Sequence, residues 1–113
     1  MGEIESGQIW HGVAGFLPRD DGTLPLTRAW LGWCELCRSE ASLAEIVARA
    51  RRQEVTMLAE AHAHRLSRPD LDVLMAVVDG LRHAVCAPVR PMPRERACDL
   101  LTGVSAAALA RSE

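Results

Sequence analysis

Apolar residues recur at a helical period through the second half of the chain. Between residues 71 and 85 they are separated mostly by three or four positions, which is the spacing of a helix with one buried face. The stripe consists of Leu71, Leu74, Met75, Val78, Leu81 and Val85. Asp79 and Arg82 fall on the polar side of this helix, which we expect to face solvent.

The ends of that helix are also marked in the sequence. Ser67 is a good N-cap residue, Pro69 fits the first turn, and the carboxylate of Asp70 complements the helix dipole. Pro88 ends the helix because proline lacks the N–H that a further turn would need. We therefore predict a helix from Ser67 to about residue 87.

A second long helix precedes it. Ser42 and Glu45 form a capping-box pattern at its start, and we predict that the helix continues to about Leu66. The apolar positions on its face are Leu43, Ile46, Val47, Ala50, Met57, Leu58 and Ala61. Since only the residues around Ser67 separate the two helices, we expect them to pack antiparallel as an αα-hairpin.

Shorter helices flank the hairpin. Thr27 is placed to cap a helix over residues 28–39. A short helix over 94–101 should follow the hairpin, where Gly103 breaks it and Ser105 caps a last helical piece.

The remaining segments are irregular. Residues 1–26 carry no sustained period and form an irregular N-terminal arm, and residues 88–93 are a Pro-rich extended crossing. The chain of 113 residues is long enough to form one hydrophobic core. We therefore predict a single helical domain over residues 1–113. The predicted fold is all-α, a small three- to four-helix bundle built on the antiparallel αα-hairpin.

Composition narrows the function classes. With a net charge of −2, the chain has no bulk attraction for phosphate backbones, so we do not expect nucleic-acid binding. No apolar run is long enough for a membrane span. All 13 basic residues are Arg, and the chain has 17 Ala; both residue types are encoded by GC-rich codons. This bias indicates that the chain comes from a high-GC bacterium or its phage. The acidic N-terminus differs from a signal peptide, and we expect a cytoplasmic protein with reduced cysteines.

One short motif has a recognisable outline. The segment Trp33-Cys34-Glu35-Leu36-Cys37-Arg38 resembles the W-C-x-x-C-K turn of thioredoxin-like oxidoreductases. The resemblance implies thiol–disulfide chemistry, with Cys34 at a helix N-terminus where the dipole lowers its pKa. That family also has a buried strand before the motif, whereas this chain has Leu24-Pro25-Leu26-Thr27-Arg28 there. We therefore keep thiol-redox chemistry as an alternative function.

The cysteines also suggest a metal site. Cys34 and Cys37 lie three apart on one predicted helix, and Cys86 and Cys98 follow later, with His83 as a substitute ligand. Zinc takes four tetrahedral thiolate or imidazole ligands. Zinc is thus the alternative cofactor, but we expect none, with the cysteines serving as small buried hydrophobes.

The aromatic residues favour another role. Trp10, Trp30 and Trp33 fall in the first third of a chain with one Phe and no Tyr, and Trp is enriched in interface hot spots. No combination of nucleophile, base and orienting acid argues for an enzyme. We therefore expect a non-enzymatic protein that binds a protein partner or forms a homodimer, acting as an adaptor, regulator, inhibitor or assembly factor.

Overall fold

A computed structural model describes residues 13–112 and places four helices there, joined by turns and without any strand. They are α1 (Leu24–Leu36), α2 (Ala41–Ala61), α3 (Arg68–Val85) and α4 (Arg94–Arg111). A helical turn at 13–14 precedes them. The all-α prediction of a small helical bundle is confirmed.

Helix α3 forms where the sequence predicts it. The Ser67 hydroxyl accepts the backbone N–H of Asp70 at 3.3 Å, and Pro69 lies in the first turn. Every member of the predicted apolar stripe from Leu71 to Val85 is buried. The clear cap and the strict period together explain why this element was predictable.

Helix α1 begins and ends earlier than predicted. Its N-cap is Thr23 and not Thr27, and Pro25 occupies the first turn, where the missing N–H costs nothing. A local turn sets this start: the Thr23 hydroxyl accepts the backbone N–H groups of Arg19 and Asp20, at 2.8 and 3.1 Å. The irregular arm therefore stops short of residue 24, not at residue 26.

Helix α2 also departs from prediction at both ends. It begins at Ala41 with Glu40 as N-cap and no side-chain cap, so the Ser42 capping box does not form. The reason is that Ser42 already lies inside the first turn, where the Glu40 carbonyl accepts the first amides. The helix ends at Ala61 and does not extend to residue 66.

A Schellman turn ends α2. The His64 N–H donates to the Ala59 carbonyl and the Ala63 N–H to that of Glu60, both at 2.9 Å. Ala63 and His64 adopt positive φ angles of 52° and 56°. This turn brings α3 back against α2, and the two helices form the predicted αα-hairpin.

Helix α4 is one continuous helix and not two pieces. Gly103 does not break it, although a glycine costs a helix interior about 1 kcal/mol relative to alanine. Burial on both sides of Gly103 outweighs that cost, and Ser105 is a buried interior residue and not a cap. The buried residues of α4 are Ala97, Cys98, Leu101, Ser105, Ala108 and Leu109.

The core lies mainly between α3 and α4. Leu58 of α2 contributes to it, and so do Val13, Phe16 and Leu17 from the segment before α1. Residues 88–93 contain neither helix nor strand, and the Met92 N–H donates to the Ala84 carbonyl at 2.9 Å. Helix α1 adds only the half-buried Leu24 to the edge of this core.

A buried arginine of α3, Arg82, links the segment before α1 to α2. The Arg82 Nε–H donates to the Phe16 carbonyl at 2.8 Å, and its guanidinium pairs with Glu54 at 2.5 Å. The side chain of Arg82 is 8% exposed and that of Glu54 is 17% exposed. The expectation that Arg82 faces solvent was therefore wrong, because long-range partners compensate its charge.

The Schellman turn yields a stability prediction. Left-handed backbone costs a non-glycine residue about 1–2 kcal/mol, more than glycine loses in unfolded-state entropy. Ala63→Gly should therefore raise the free energy of unfolding by about 0.5–1 kcal/mol, as measured by urea denaturation. Ala76→Gly, at an exposed position inside α3, is the control and should lower it by about 1 kcal/mol. A loss of stability in both variants would contradict this account of the turn.

Candidate interaction surface

Helix α1 has 13 residues and buries none of them. Its sequence is nevertheless mostly apolar, with Arg28 and Glu35 as its charged residues. A helix that is apolar around most of its circumference is normally enclosed by other elements. Here one side of α1 rests on the bundle and the opposite side faces outward.

The exposed side of α1 is the outer face. Its residues recur every three or four positions, so they lie on one side of the helix. They are Pro25, Leu26, Ala29, Gly32, Trp33 and Leu36. Leu26 is 72% exposed, Trp33 47% and Leu36 53%. Uncharged exposed patches of this kind mark protein-binding surfaces more often than isolated exposed side chains do.

The three tryptophans proposed as partner contacts are placed differently. Trp33 belongs to the outer face, whereas Trp30 is half-buried and lines a groove with Phe16 and Arg82 of the bundle. Trp10 lies outside the described residues. The outer face therefore carries one of these tryptophans as an exposed aromatic side chain.

A groove lies on the inner side of α1. It has a volume of about 450 Å³ and is bounded by Phe16, Leu26, Trp30 and Met57, with Arg82 at its polar end. The Trp30 Nε1 atom is buried without a hydrogen-bond partner among the described residues. The Arg82 guanidinium at the polar end of the groove already has partners, because it bonds the Phe16 carbonyl and pairs with Glu54.

The predicted metal ligands are only partly brought together. Cys34, Cys37 and His83 line one open pocket of about 530 Å³. Cys98 is fully buried in the core, and Cys86 is the C-cap of α3, so neither lines that pocket. Within residues 13–112, no group of three or more His, Cys, Asp or Glu side chains is arranged to hold a metal ion. The four-cysteine zinc site stays a prediction from the sequence.

The environment of Cys34 differs from the one that the thioredoxin resemblance implies. Cys34 lies in the last turn of α1 and not at a helix N-terminus, and the Cys37 thiol donates to its carbonyl at 3.0 Å. Burial raises the pKa of Cys34, Arg51 acts in the opposite direction, and the nearby Asp79 carboxylate also raises it. A raised pKa leaves less of the nucleophilic thiolate at neutral pH.

Two features of this region were missed from the sequence. The sequence did not reveal the outer face, because the predicted start of α1 at residue 28 leaves Pro25 and Leu26 in the N-terminal arm. The three-to-four spacing from Pro25 to Leu36 was the signal that could have revealed it. The burial of Arg82 had no local signal, since its partners Phe16 and Glu54 are distant in sequence.

Comparison of the chain with protein-family models, with curated proteins and with solved structures found no match in any of the three. Across the described residues, no helix is both long enough and apolar enough to cross a membrane. The outer face of α1 is therefore interpreted from its own chemistry.

The Cys34 environment predicts slow alkylation of this thiol. Because its pKa is raised, Cys34 should react with iodoacetamide more slowly at pH 8 than the same cysteine in the denatured chain. Arg51→Met should slow it further, because the nearby positive charge and its hydrogen bond are lost. Peptide mass spectrometry gives the rate for Cys34 alone, and Arg38→Met, an exposed change of equal charge, should have little effect. Faster alkylation in the folded chain would contradict the assignment.

Proposed function

We propose that the chain is a small non-enzymatic helical protein that acts by binding a protein through the outer face of α1. Its role would be that of an adaptor, regulator, inhibitor or assembly factor. The observation that carries the proposal is a helix of 13 residues that buries none of them and exposes an uncharged apolar stripe.

The outer face has the chemistry of a binding hot spot. Trp33 lies near the C-terminal half of the stripe, between the exposed leucines Leu26 and Leu36. Tryptophan provides a large contact area and an N–H donor, and it is over-represented among residues that dominate binding energy. Covering the exposed parts of these three side chains would contribute about 1–2 kcal/mol each.

The bundle also presents this surface firmly. Segment 13–17 precedes α1 in the chain and is packed in the core, and the Arg82 bond to the Phe16 carbonyl holds it there. In the turn that leads into α1, the backbone N–H groups of Arg19 and Asp20 donate to the Thr23 hydroxyl, and the Thr23 N–H donates to the Asp20 carboxylate. A surface that is held before binding loses less conformational entropy when a partner docks.

Site-specific photocrosslinking in the native cells tests the proposal. Benzoylphenylalanine replaces Trp33 in one sample and Leu100 in the other. Leu100 is the matched control because it is 44% exposed, close to the 47% of Trp33, but lies on α4. We expect a discrete adduct from position 33 and none from position 100.

The crosslinked partner is then identified by mass spectrometry and purified. We expect it to bind the unmodified chain, and to bind the Trp33→Glu variant at least about tenfold more weakly, since a charge would be placed in an apolar contact. Equal crosslinking from positions 33 and 100, or an unchanged affinity of the partner for Trp33→Glu, would contradict the proposal.

A further inference from the structure

The two charges of α1 lie on one flank of the helix. Arg28 and Glu35 are seven residues apart, which is close to two helical turns, so both lie along the same flank of the outer face. Both side chains are exposed. The midpoint between them falls between Leu31 and Gly32, on the C-terminal side of the central residue Trp30.

This arrangement is complementary to itself in one orientation. If a second α1 lies antiparallel against the first, with the two-fold axis at that midpoint, Arg28 of each copy faces Glu35 of the other. The same flank meets the same flank in such a pair. A parallel, in-register pair would instead place the two Arg28–Glu35 flanks on opposite sides of the contact, where their charges do not meet.

The apolar residues of the outer face fit the same antiparallel pair. Leu26 of one copy lies within one residue of the level of Leu36 of the other, and Trp33 lies within one residue of the level of Ala29. Gly32 falls at the crossing point, where a residue without a side chain lets two helices approach closely. A Cβ atom at Gly32 would meet nothing within 4 Å inside the monomer, so internal packing does not require glycine there.

The present neighbours of the two charges leave them available. Glu35 pairs with Arg38 at 3.7 Å, but both side chains are more than 70% exposed, and such a pair contributes little. Arg28 lies near enough to Cys86 to act on the pKa of that thiol, yet its side chain is exposed. A partner can therefore recruit both charges without breaking a buried interaction.

We propose that the occupant of the outer face is a second copy of this chain, bound as an antiparallel α1–α1 pair with two Arg28–Glu35 ion pairs. The inference rests on the proposed function, to which it adds the partner and the register. A helix of 13 residues is about 20 Å long. A face of that length covers less than the roughly 800 Å² per partner of a standard interface, so the dimer should be weak, with a Kd in the micromolar range.

Charge reversal tests the register by analytical ultracentrifugation between about 1 and 500 μM. The chain of 12.3 kDa should shift from monomer to dimer over this range. Arg28→Glu alone and Glu35→Arg alone should each weaken self-association about tenfold at low salt, because two attractive pairs become repulsive. An equimolar mixture of these two variants should restore association, since every cross-pair in the mixed dimer is then opposite in charge.

Matched controls carry the same charge changes elsewhere. Arg96→Glu and Glu95→Arg, both exposed on α4, should leave the dimer unchanged. Gly32→Arg should abolish dimerisation while circular dichroism shows the helix content retained, because arginine favours helix more than glycine does. Circular dichroism of the charge variants confirms that each is folded.

Two results would overturn the inference. If the single reversals associate as well as the original chain, or the mixture fails to restore association, the antiparallel register is wrong. If the original chain stays monomeric up to 500 μM, the second copy is not the partner. A crosslink from position 33 to a different protein would then leave the proposed function standing, whereas the absence of any crosslink would remove both.

Discussion

The arrangement of the helices depends on the contacts that the buried Arg82 side chain makes with Phe16 and Glu54. Arg82 lies within α3, bonds the carbonyl of Phe16 before α1, and pairs with Glu54 of α2. Asp79 extends the network, at 3.8 Å from Arg82 and 2.5 Å from Arg51. Removing one partner of a buried ion pair typically costs about 3–5 kcal/mol, because the remaining charge is left uncompensated. This network therefore fixes the segment before α1 relative to the α2–α3 hairpin.

The consequence for α1 follows from how the core is completed. Segment 13–17 is packed in the core with residues of α2, α3 and α4, whereas α1 adds only Leu24 at the edge of that core. Helix α1 is left to rest on the surface through one half-buried side. Its apolar outer face is then a property of the folded monomer and not of incomplete folding, which is why we interpret it as a binding surface.

Local signals predicted the elements that depend on them. The Ser67 cap and the strict stripe after it determined α3, and the short connection determined the hairpin. Predictions failed where distant packing overrides a local rule: Gly103 stays helical because α4 is buried on both sides of it. The predicted irregular arm includes Pro25, although proline suits the first turn of a helix, where the structure places it. The burial of Arg82 required contacts with residues 28 and 66 positions away, which no periodicity reveals.

Part of the candidate surface could therefore be predicted from the sequence. The clustering of tryptophans indicated an interface, and Trp33 does lie exposed on the outer face of α1. It was not predictable that Trp30 is half-buried while Trp33 and Leu26 are exposed, because this follows from the start of the helix at Leu24. The self-complementary placement of Arg28 and Glu35 acquires meaning only once their common flank is known to be exposed.

Amide hydrogen–deuterium exchange of the purified chain at low and high concentration tests most directly whether the outer face of α1 is covered by a second copy. The account predicts slower exchange in the peptide covering residues 29–36 at 500 μM than at 5 μM, with no change in the α4 peptide that contains Leu100. Exchange in residues 29–36 that is independent of concentration, or protection that appears on α4 instead, would contradict it.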